Sequence, residues 1–224
     1  MPDGALNADF ATLAIMRTSE MEWVESPAAG IWRKRLELAG PAESGRVTSL
    51  VRYDPGCAFP AHEHPGGEEI LVLDGIFQDD AGDWPAGSYL LNPEGFRHAP
   101  GSATGCTLFV KLRQYPGTAR RHLALDTAKG EWQAGRTPGL QVLPLYAEDG
   151  YPEVMRLVRY APGTDFPRHD HPGGEEIYVI EGALEDEFGE HGAGAWMRYP
   201  AGSVHTPRSA GGCLLYVRTG HLAG

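Results

Sequence analysis

The sequence predicts an all-β protein made of two similar barrels, on the basis of its composition, its apolar pattern and an internal repeat. Glycine and proline, 30 and 18 residues of 224, favour short strands joined by turns over long helices. Apolar residues form short segments punctuated by glycine or proline, and few windows carry the 3.6-residue period of a helix. Closely spaced strands of this kind favour an antiparallel barrel or jelly roll, because closure removes exposed strand edges.

The repeat covers most of the chain. Residues 46–112 align without a gap to residues 153–219 at an offset of 107, and 33 of the 67 aligned positions are identical. A shorter match upstream, which makes Trp23 equivalent to Trp132, has an offset of 109. We therefore predict two domains, residues 1–118 and 119–224, with Pro116–Lys129 as the linker.

Short apolar segments predict the strands of each repeat. In the first repeat they are Val47–Tyr53, Glu69–Asp74, Gly87–Asn92 and Cys106–Leu112, each rich in aliphatic or aromatic residues. One stretch, Thr12–Val24, has a pattern closer to that of a helix, and we predict a helix there.

The charge balance and the cysteine content exclude several classes of protein. Nineteen basic against thirty acidic residues give a net charge of −11, which argues against binding to nucleic acid or to an anionic membrane. Three cysteines without a CxxC pair exclude a disulfide scaffold and a cysteine-based zinc finger. No apolar run approaches the roughly 20 residues of a membrane span, and the acidic N-terminus is unlike a signal peptide. We therefore expect a cytoplasmic protein.

Histidines at a repeated spacing predict two metal sites. His62 and His64 lie two residues apart, so on a strand both imidazoles point to the same face. A Pro-Gly-Gly turn leads to Glu68, His98 follows thirty residues later, and the second repeat keeps all four positions. Three imidazoles and a carboxylate suit zinc, iron, manganese or nickel. The predicted ligands are His62, His64, Glu68, His98, His169, His171, Glu175 and His205.

Two further pairs of equivalent residues lie close to these positions. Glu69 and Glu176 follow the carboxylate ligands and fall on the opposite strand face, where we expect exposed or edge positions. Contact with a ligand side chain is the alternative for these two glutamates. Cys106 and Cys213 are expected to be small buried hydrophobic residues, with an oxidisable thiol near the metal as the alternative.

The spacing of the metal-site residues resembles the two motifs of the cupin superfamily. The first motif is matched by Gly56-x5-His62-x-His64-x3-Glu68-x6-Gly75, and the second by Gly87-x5-Pro93-x-Gly95-x2-His98. The HPGGEE run and the short segment between the motifs resemble the ChrR-type cupin domain in particular. The resemblance implies two tandem double-stranded β-helix (jelly-roll) barrels, with a metal ion, zinc above all, inside each.

In ChrR-type proteins the cupin domain follows a zinc-binding anti-sigma domain and takes part in sensing oxidative stress. Residues 1–20 are too short to form that domain, and no cysteine precedes Cys57, so we do not expect a sigma factor as partner. Two functions stay open: a regulatory or stress-sensing metal-binding bicupin, and a metal-dependent dioxygenase that cleaves a small diketone or phenolic ketone. A small-molecule ligand and a homodimer are compatible with either.

Overall fold

The computed structural model describes residues 5–222, which are organised almost entirely as β-strands. Within this range there are two 3-10 turns, Thr18–Glu20 and Thr127–Lys129, and no α-helix. No helix of the described residues is long and apolar enough to cross a membrane. The first strands are β1 (Ala14–Arg17), β2 (Val24–Glu25), β3 (Ile31–Ala39), β4 (Arg46–Tyr53), β5 (Cys57–Ala58), β6 (His62–Glu63), β7 (Glu68–Asp79), β8 (Gly82–Pro85), β9 (Ser88–Asn92), β10 (Arg97–His98), β11 (Gly101–Ser102) and β12 (Cys106–Leu112). The remaining strands are β13 (Leu123–Asp126), β14 (Gln133–Ala134), β15 (Leu140–Tyr146), β16 (Val154–Tyr160), β17 (Thr164–Asp165), β18 (His169–His171), β19 (Glu175–Asp186), β20 (Gly189–Gly192), β21 (Ala195–Tyr199), β22 (Ser203–His205), β23 (Arg208–Ser209) and β24 (Cys213–Thr219).

The first compact unit is an antiparallel barrel built around the long strand β7. Its main sheet has the order β13-β9-β7-β12-β4-β3-β2, while β8 and β11 pair with the second half of β7. Strands β6 and β10 form a separate two-stranded ribbon. Alternate residues Ile70 and Val72 of β7 join Leu90 and Leu108 in the buried core, as the period of two predicts.

The second unit repeats this arrangement around β19. Its main sheet has the order β1-β21-β19-β24-β16-β15-β14, and β20 and β23 pair with the second half of β19. Strands β18 and β22 form the matching ribbon. The core contains Ile177 and Val179, which are equivalent to Ile70 and Val72. The predicted all-β class with two tandem barrels is confirmed.

An edge strand of each unit comes from the other sequence repeat. β1 pairs with β21 and places Ala14 opposite Arg198, whereas β13 pairs with β9 and places Leu123 opposite Leu91. β1 and β13 are equivalent at the offset of 109. One compact unit therefore comprises the residues up to 8 together with residues 22–130. The other comprises residues 9–21 together with the residues from 131 onward. This division differs from the predicted one, which separates the two domains after residue 118.

Two local predictions are corrected by these edge strands. The predicted helix Thr12–Val24 is wrong: β1 and a single 3-10 turn occupy it, and β2 begins at its last residue. The predicted linker Pro116–Lys129 contains β13 and the second 3-10 turn. Both segments are short, and a short helix gains little stability alone, whereas pairing with a sheet edge satisfies a full row of backbone groups.

Gly75 lies within β7, where the pairing of this strand changes from β9 and β12 to β8 and β11. Its φ is +73°, and a Cβ there would collide with the backbone oxygen of Gly105. We expect Gly75→Ala to lower the free energy of unfolding by about 3 kcal/mol, because a left-handed conformation and overpacking each cost about 1–2 kcal/mol. The control is Gly56→Ala, at φ +81° with no atom within 4 Å of the new Cβ, which should cost about 1 kcal/mol. Urea unfolding of both variants measures the difference, and equal losses would contradict the collision.

Candidate metal centre

The first unit brings its four predicted ligands together at one end of the β6–β10 ribbon. The register of this ribbon places His98 opposite His62. His64 and His98 approach with their Nε2 atoms 2.9 Å apart. The Glu68 Oε2 atom lies 3.5 Å from Nε2 of His64 and 3.3 Å from Nε2 of His98. One nitrogen from each of the three imidazoles falls within a set whose members are at most 4.8 Å apart.

The second unit contains an equivalent and slightly more regular group. β18 carries His169 and His171, β22 carries His205 opposite His169, and Glu175 begins β19. The Nε2 atoms of His171 and His205 are 3.1 Å apart, and Glu175 Oε2 is 3.2 Å from each of them. All four side chains offer one donor atom within 4.8 Å of the others.

Hydrogen bonds at Nδ1 orient four of the six imidazoles. His62 Nδ1 donates to the carbonyl oxygen of Pro60 at 2.8 Å, and His169 Nδ1 donates to that of Pro167 at 3.0 Å. The Nδ1 atom of His98 contacts the Asp79 carboxylate at 3.2 Å. A neutral ring that donates through Nδ1 carries its lone pair on Nε2, so His62 and His169 present acceptor atoms to the centre of each cluster.

The donor atoms fit a metal ion and are poorly satisfied by one another. Two neutral imidazoles whose Nε2 lone pairs approach within 2.9 or 3.1 Å repel each other unless a proton or a metal ion lies between them. Nitrogen atoms bound to one ion at about 2.1 Å each are separated by roughly 3.0–3.4 Å, which is close to these distances. The buried Glu175 Oε2 atom faces the Nε2 atoms of His171 and His205, at 3.2 Å from each. A divalent ion would satisfy all of these atoms.

An aspartate that the histidine spacing does not reveal lies behind the last histidine of each cluster. Asp79 Oδ2 contacts Nδ1 of His98, and Asp186 Oδ2 lies 3.3 Å from Nδ1 of His205. Trp84 donates through Nε1 to the other oxygen of Asp79, so this carboxylate is fixed in place. A signal was present: the two aspartates are identical at the offset of 107, while most acidic residues around them differ.

These carboxylates change the protonation of the last histidine. Burial alone would lower the pKa of His98, but the hydrogen-bonded carboxylates of Asp79 and Glu68 outweigh it and raise the pKa to about 9. The same balance raises the pKa of His205 to about 9. Burial lowers the pKa of His64 and of His171. In the metal-free protein each cluster therefore holds one proton at neutral pH, and a metal ion must displace it.

The aspartates provide a direct test of the cluster. We expect Asp79→Asn to weaken metal binding at the first site by about 10–100-fold, since loss of an outer carboxylate typically has that effect. Asp80→Asn is the matched control, because Asp80 is exposed and accepts a hydrogen bond from a backbone amide instead. Competition titration against a fluorescent metal indicator gives the affinities, and equal affinity in the two variants would exclude the role of Asp79.

The expectation for Glu69 and Glu176 was wrong. Their side chains are 2% and 1% exposed. Glu69 accepts a hydrogen bond from Tyr89 at 2.8 Å, and Glu176 accepts one from Trp196 Nε1 at 2.6 Å. Sequence alternation placed both glutamates correctly on the face opposite the ligands, but it does not show whether that face is covered.

The equivalent cysteines are buried. Cys106 is 3% exposed and Cys213 is 6% exposed. Burial raises the pKa of the Cys106 thiol to about 11 and also raises that of Cys213. Because oxidation requires an accessible thiolate, these residues fit the expected packing role.

A cavity lies beside each cluster, and the two cavities differ in size. The first has a volume of about 190 Å³ and is lined by His62, His64 and Glu68 among apolar residues. The second has a volume of about 650 Å³ and is lined by all four members of its cluster. Cavities that bind small molecules typically have volumes of about 300–1,000 Å³.

Comparison with solved structures shows the same fold in several bacterial proteins. A protein of Nostoc punctiforme PCC 73102, described as a candidate dioxygenase, has a TM-score of 0.77 and 18% identity over 93% of this chain and 82% of its own. Protein Ylba of E. coli has a TM-score of 0.73 and 15% identity, with 98% and 95% of the two chains covered. Oxalate decarboxylase OxdC of Bacillus subtilis, as a mutant, has a TM-score of 0.66 and 13% identity, with 92% and 76% covered. At these identities the likeness shows the fold alone.

The family comparison is more specific. No curated protein matches the chain significantly. The model of the ChrR Cupin-like domain matches twice, over residues 11–116 and 120–223, and so covers almost the whole chain. Both barrels and both histidine clusters lie within the matched residues. This chain therefore belongs to the ChrR cupin-like family, and it carries two cupin domains in tandem.

Proposed function

We propose that this protein binds two divalent transition-metal ions, one in each barrel, and that the bound ions serve a regulatory or stress-sensing role. The observation that carries the proposal is the repeated group of three imidazoles and one carboxylate, with paired Nε2 atoms 2.9 and 3.1 Å apart. The ligands would be the eight residues described above. Without a shared proton, two Nε2 lone pairs at these distances would repel each other, and a bound metal ion would remove that repulsion.

Zinc is the ion that the proposal favours. Four protein ligands complete the tetrahedral shell of a structural zinc ion and leave no position for a substrate. A centre of that kind stabilises its barrel and couples the state of the domain to metal availability.

A metal-dependent dioxygenase is the second candidate, and the large cavity of the second unit favours it. Iron or manganese held by the same four side chains keeps two further coordination positions. Such an ion would act as a Lewis acid and as the redox centre for dioxygen. His169, His171, Glu175 and His205 would hold it, Asp186 would orient His205, and the apolar cavity walls would exclude water from a bound ketone.

Metal analysis of the protein purified without added metal separates these two functions. Elemental analysis by mass spectrometry should give about two equivalents per chain, and zinc in both barrels would support the regulatory function. Iron or manganese in the second barrel would support the dioxygenase. The absence of metal, in protein that also binds none on titration, would contradict both functions, and a single equivalent would contradict the proposal of two sites.

A further inference from the structure

The two cavities have the same metal-site geometry beside them but different charged residues in their walls. Arg156 of β16 and Arg136 line the larger cavity, in the second unit. At the equivalent positions the first repeat has Ser49 and Pro27. The repeat has therefore kept the histidine clusters and changed the cavity chemistry, so the two barrels are not duplicates in what they can bind.

Arg156 is the unusual residue of the larger cavity. Its Nη2 atom donates to Thr219 Oγ1 at 2.5 Å, but its Nε atom is buried without a hydrogen-bond partner. A buried N–H that lacks an acceptor costs about 1–3 kcal/mol, and more when the group is charged. Burial also lowers the pKa of this guanidinium. An acceptor supplied by a ligand would remove that cost.

The arginines that line the smaller cavity already have partners. Arg33 and Arg35 form ion pairs with Glu43 at 3.0 and 2.8 Å. Arg113 donates to the backbone oxygen of Glu43 at 2.8 Å and to that of Gly45 at 3.1 Å. These contacts tie the segment of residues 40–45 to the rim of a cavity of about 190 Å³. This cavity offers no uncommitted guanidinium to a ligand of its own.

The other wall residues of the larger cavity indicate the chemistry of the rest of the ligand. Beside its polar residues, the cavity has aliphatic and aromatic residues in its walls, and these include Leu140, Val142, Val158, Phe166, Leu215 and Val217. Two acidic residues, Asp170 and Glu175, also line it, but Glu175 faces the histidines, and Asp170 is exposed. A chamber of about 650 Å³ with apolar wall residues and a half-buried arginine suits a compact organic anion.

We propose that the cavity of the second unit binds an organic carboxylate, with the carboxylate paired to Arg156 and an apolar body against the aliphatic walls. The site goes beyond the proposed function, since it requires neither catalysis nor a particular metal. Arg136, which is exposed, contributes positive charge at the cavity lining. Carboxylates pair well with arginine because the guanidinium presents parallel N–H donors.

Calorimetric titration of the metal-loaded full chain tests this site. The probes are phenylacetate and 4-phenylbutyrate, with phenylacetamide as the neutral analogue of the first. We expect one equivalent of acid to bind per chain, at least tenfold more tightly than the amide. Failure of both acids to bind, equal affinity for acid and amide, or two equivalents per chain would each overturn the proposal.

Variants of Arg156 test whether this residue binds the carboxylate group of the ligand. Arg156→Gln should weaken phenylacetate binding at least tenfold and leave both phenylacetamide binding and the metal content unchanged. Arg156→Lys should retain most of the preference for the acid, which keeps the test decisive if the glutamine variant is unstable. Arg159→Gln is the matched control, because Arg159 lies on the same strand but is exposed and stacks over Trp132 at 4.2 Å. Unchanged acid affinity in the glutamine variant would overturn the proposal, whereas loss of metal from wild-type protein would instead contradict the proposed function.

Discussion

Removal of metal at pH 7.5 is expected to lower the melting temperature of this protein by about 5–10 °C. A ligand that binds only the native state at a hundredfold excess over its Kd adds about 2.7 kcal/mol, and 1 kcal/mol corresponds to about 2–4 °C for a chain of this size. Thermal unfolding with and without a chelator, with metal loss verified by elemental analysis, measures the shift. Identical curves would contradict metal binding in the folded barrels.

The effect of the chelator should depend on pH in a definite direction. His98 and His205 have a pKa of about 9 in the metal-free fold, above the ordinary value near 6.5. Their protonation therefore stabilises the metal-free fold fully below about pH 6.5, and this contribution is lost as the pH rises through 9. Metal binding displaces one such proton per site, so apparent affinity should fall about tenfold for each pH unit between 9 and 7.

Below pH 6 the remaining imidazoles also compete with the metal ion. At pH 5 the difference between chelated and untreated protein should be much smaller than at pH 7.5. Indicator competition across this range gives the slope directly. A pH-independent affinity between pH 7 and 9 would show that His98 and His205 carry no proton that the ion must displace.

Loss of a single ligand should empty one site and leave the other. We expect His62→Ala to reduce the metal content from two equivalents to one, and His169→Ala to do the same for the second barrel, since each cluster lies within a single compact unit. The double variant should bind none. The mutated site should bind its metal ion at least a hundredfold more weakly, because the remaining side chains no longer complete the coordination shell.

A histidine outside both clusters provides the control for these variants. His122 is exposed and stacks on the ring of Phe96 at 4.8 Å. His122→Ala should keep both equivalents of metal. If either His62→Ala or His169→Ala also kept two, the assignment of that cluster would be wrong.

The pattern of residues along the sequence was enough to predict much of the architecture. A short segment rich in aliphatic and aromatic residues predicted the bounds of β12, Cys106–Leu112. The repeat predicted two barrels, and the His-x-His spacing placed both imidazoles of each pair on one face. These features depend on neighbouring residues along the chain or on the comparison of one repeat with the other.

Tertiary structure decided the features that depend on distant partners. The segment Thr12–Val24 has a weak helical pattern, but β1 within it forms a strand because the edge of β21 offers backbone partners. Asp79 becomes part of the metal cluster only because strand pairing brings it to His98, nineteen positions away. Glu69 is buried because both faces of β7 are covered, and alternation identifies a face without showing what lies against it. Sequence by itself predicted the two barrels and the histidines and glutamates that cluster in each. The packing of residues far apart in the chain decided the partners of each strand edge and of each buried charge, because these contacts depend on tertiary structure.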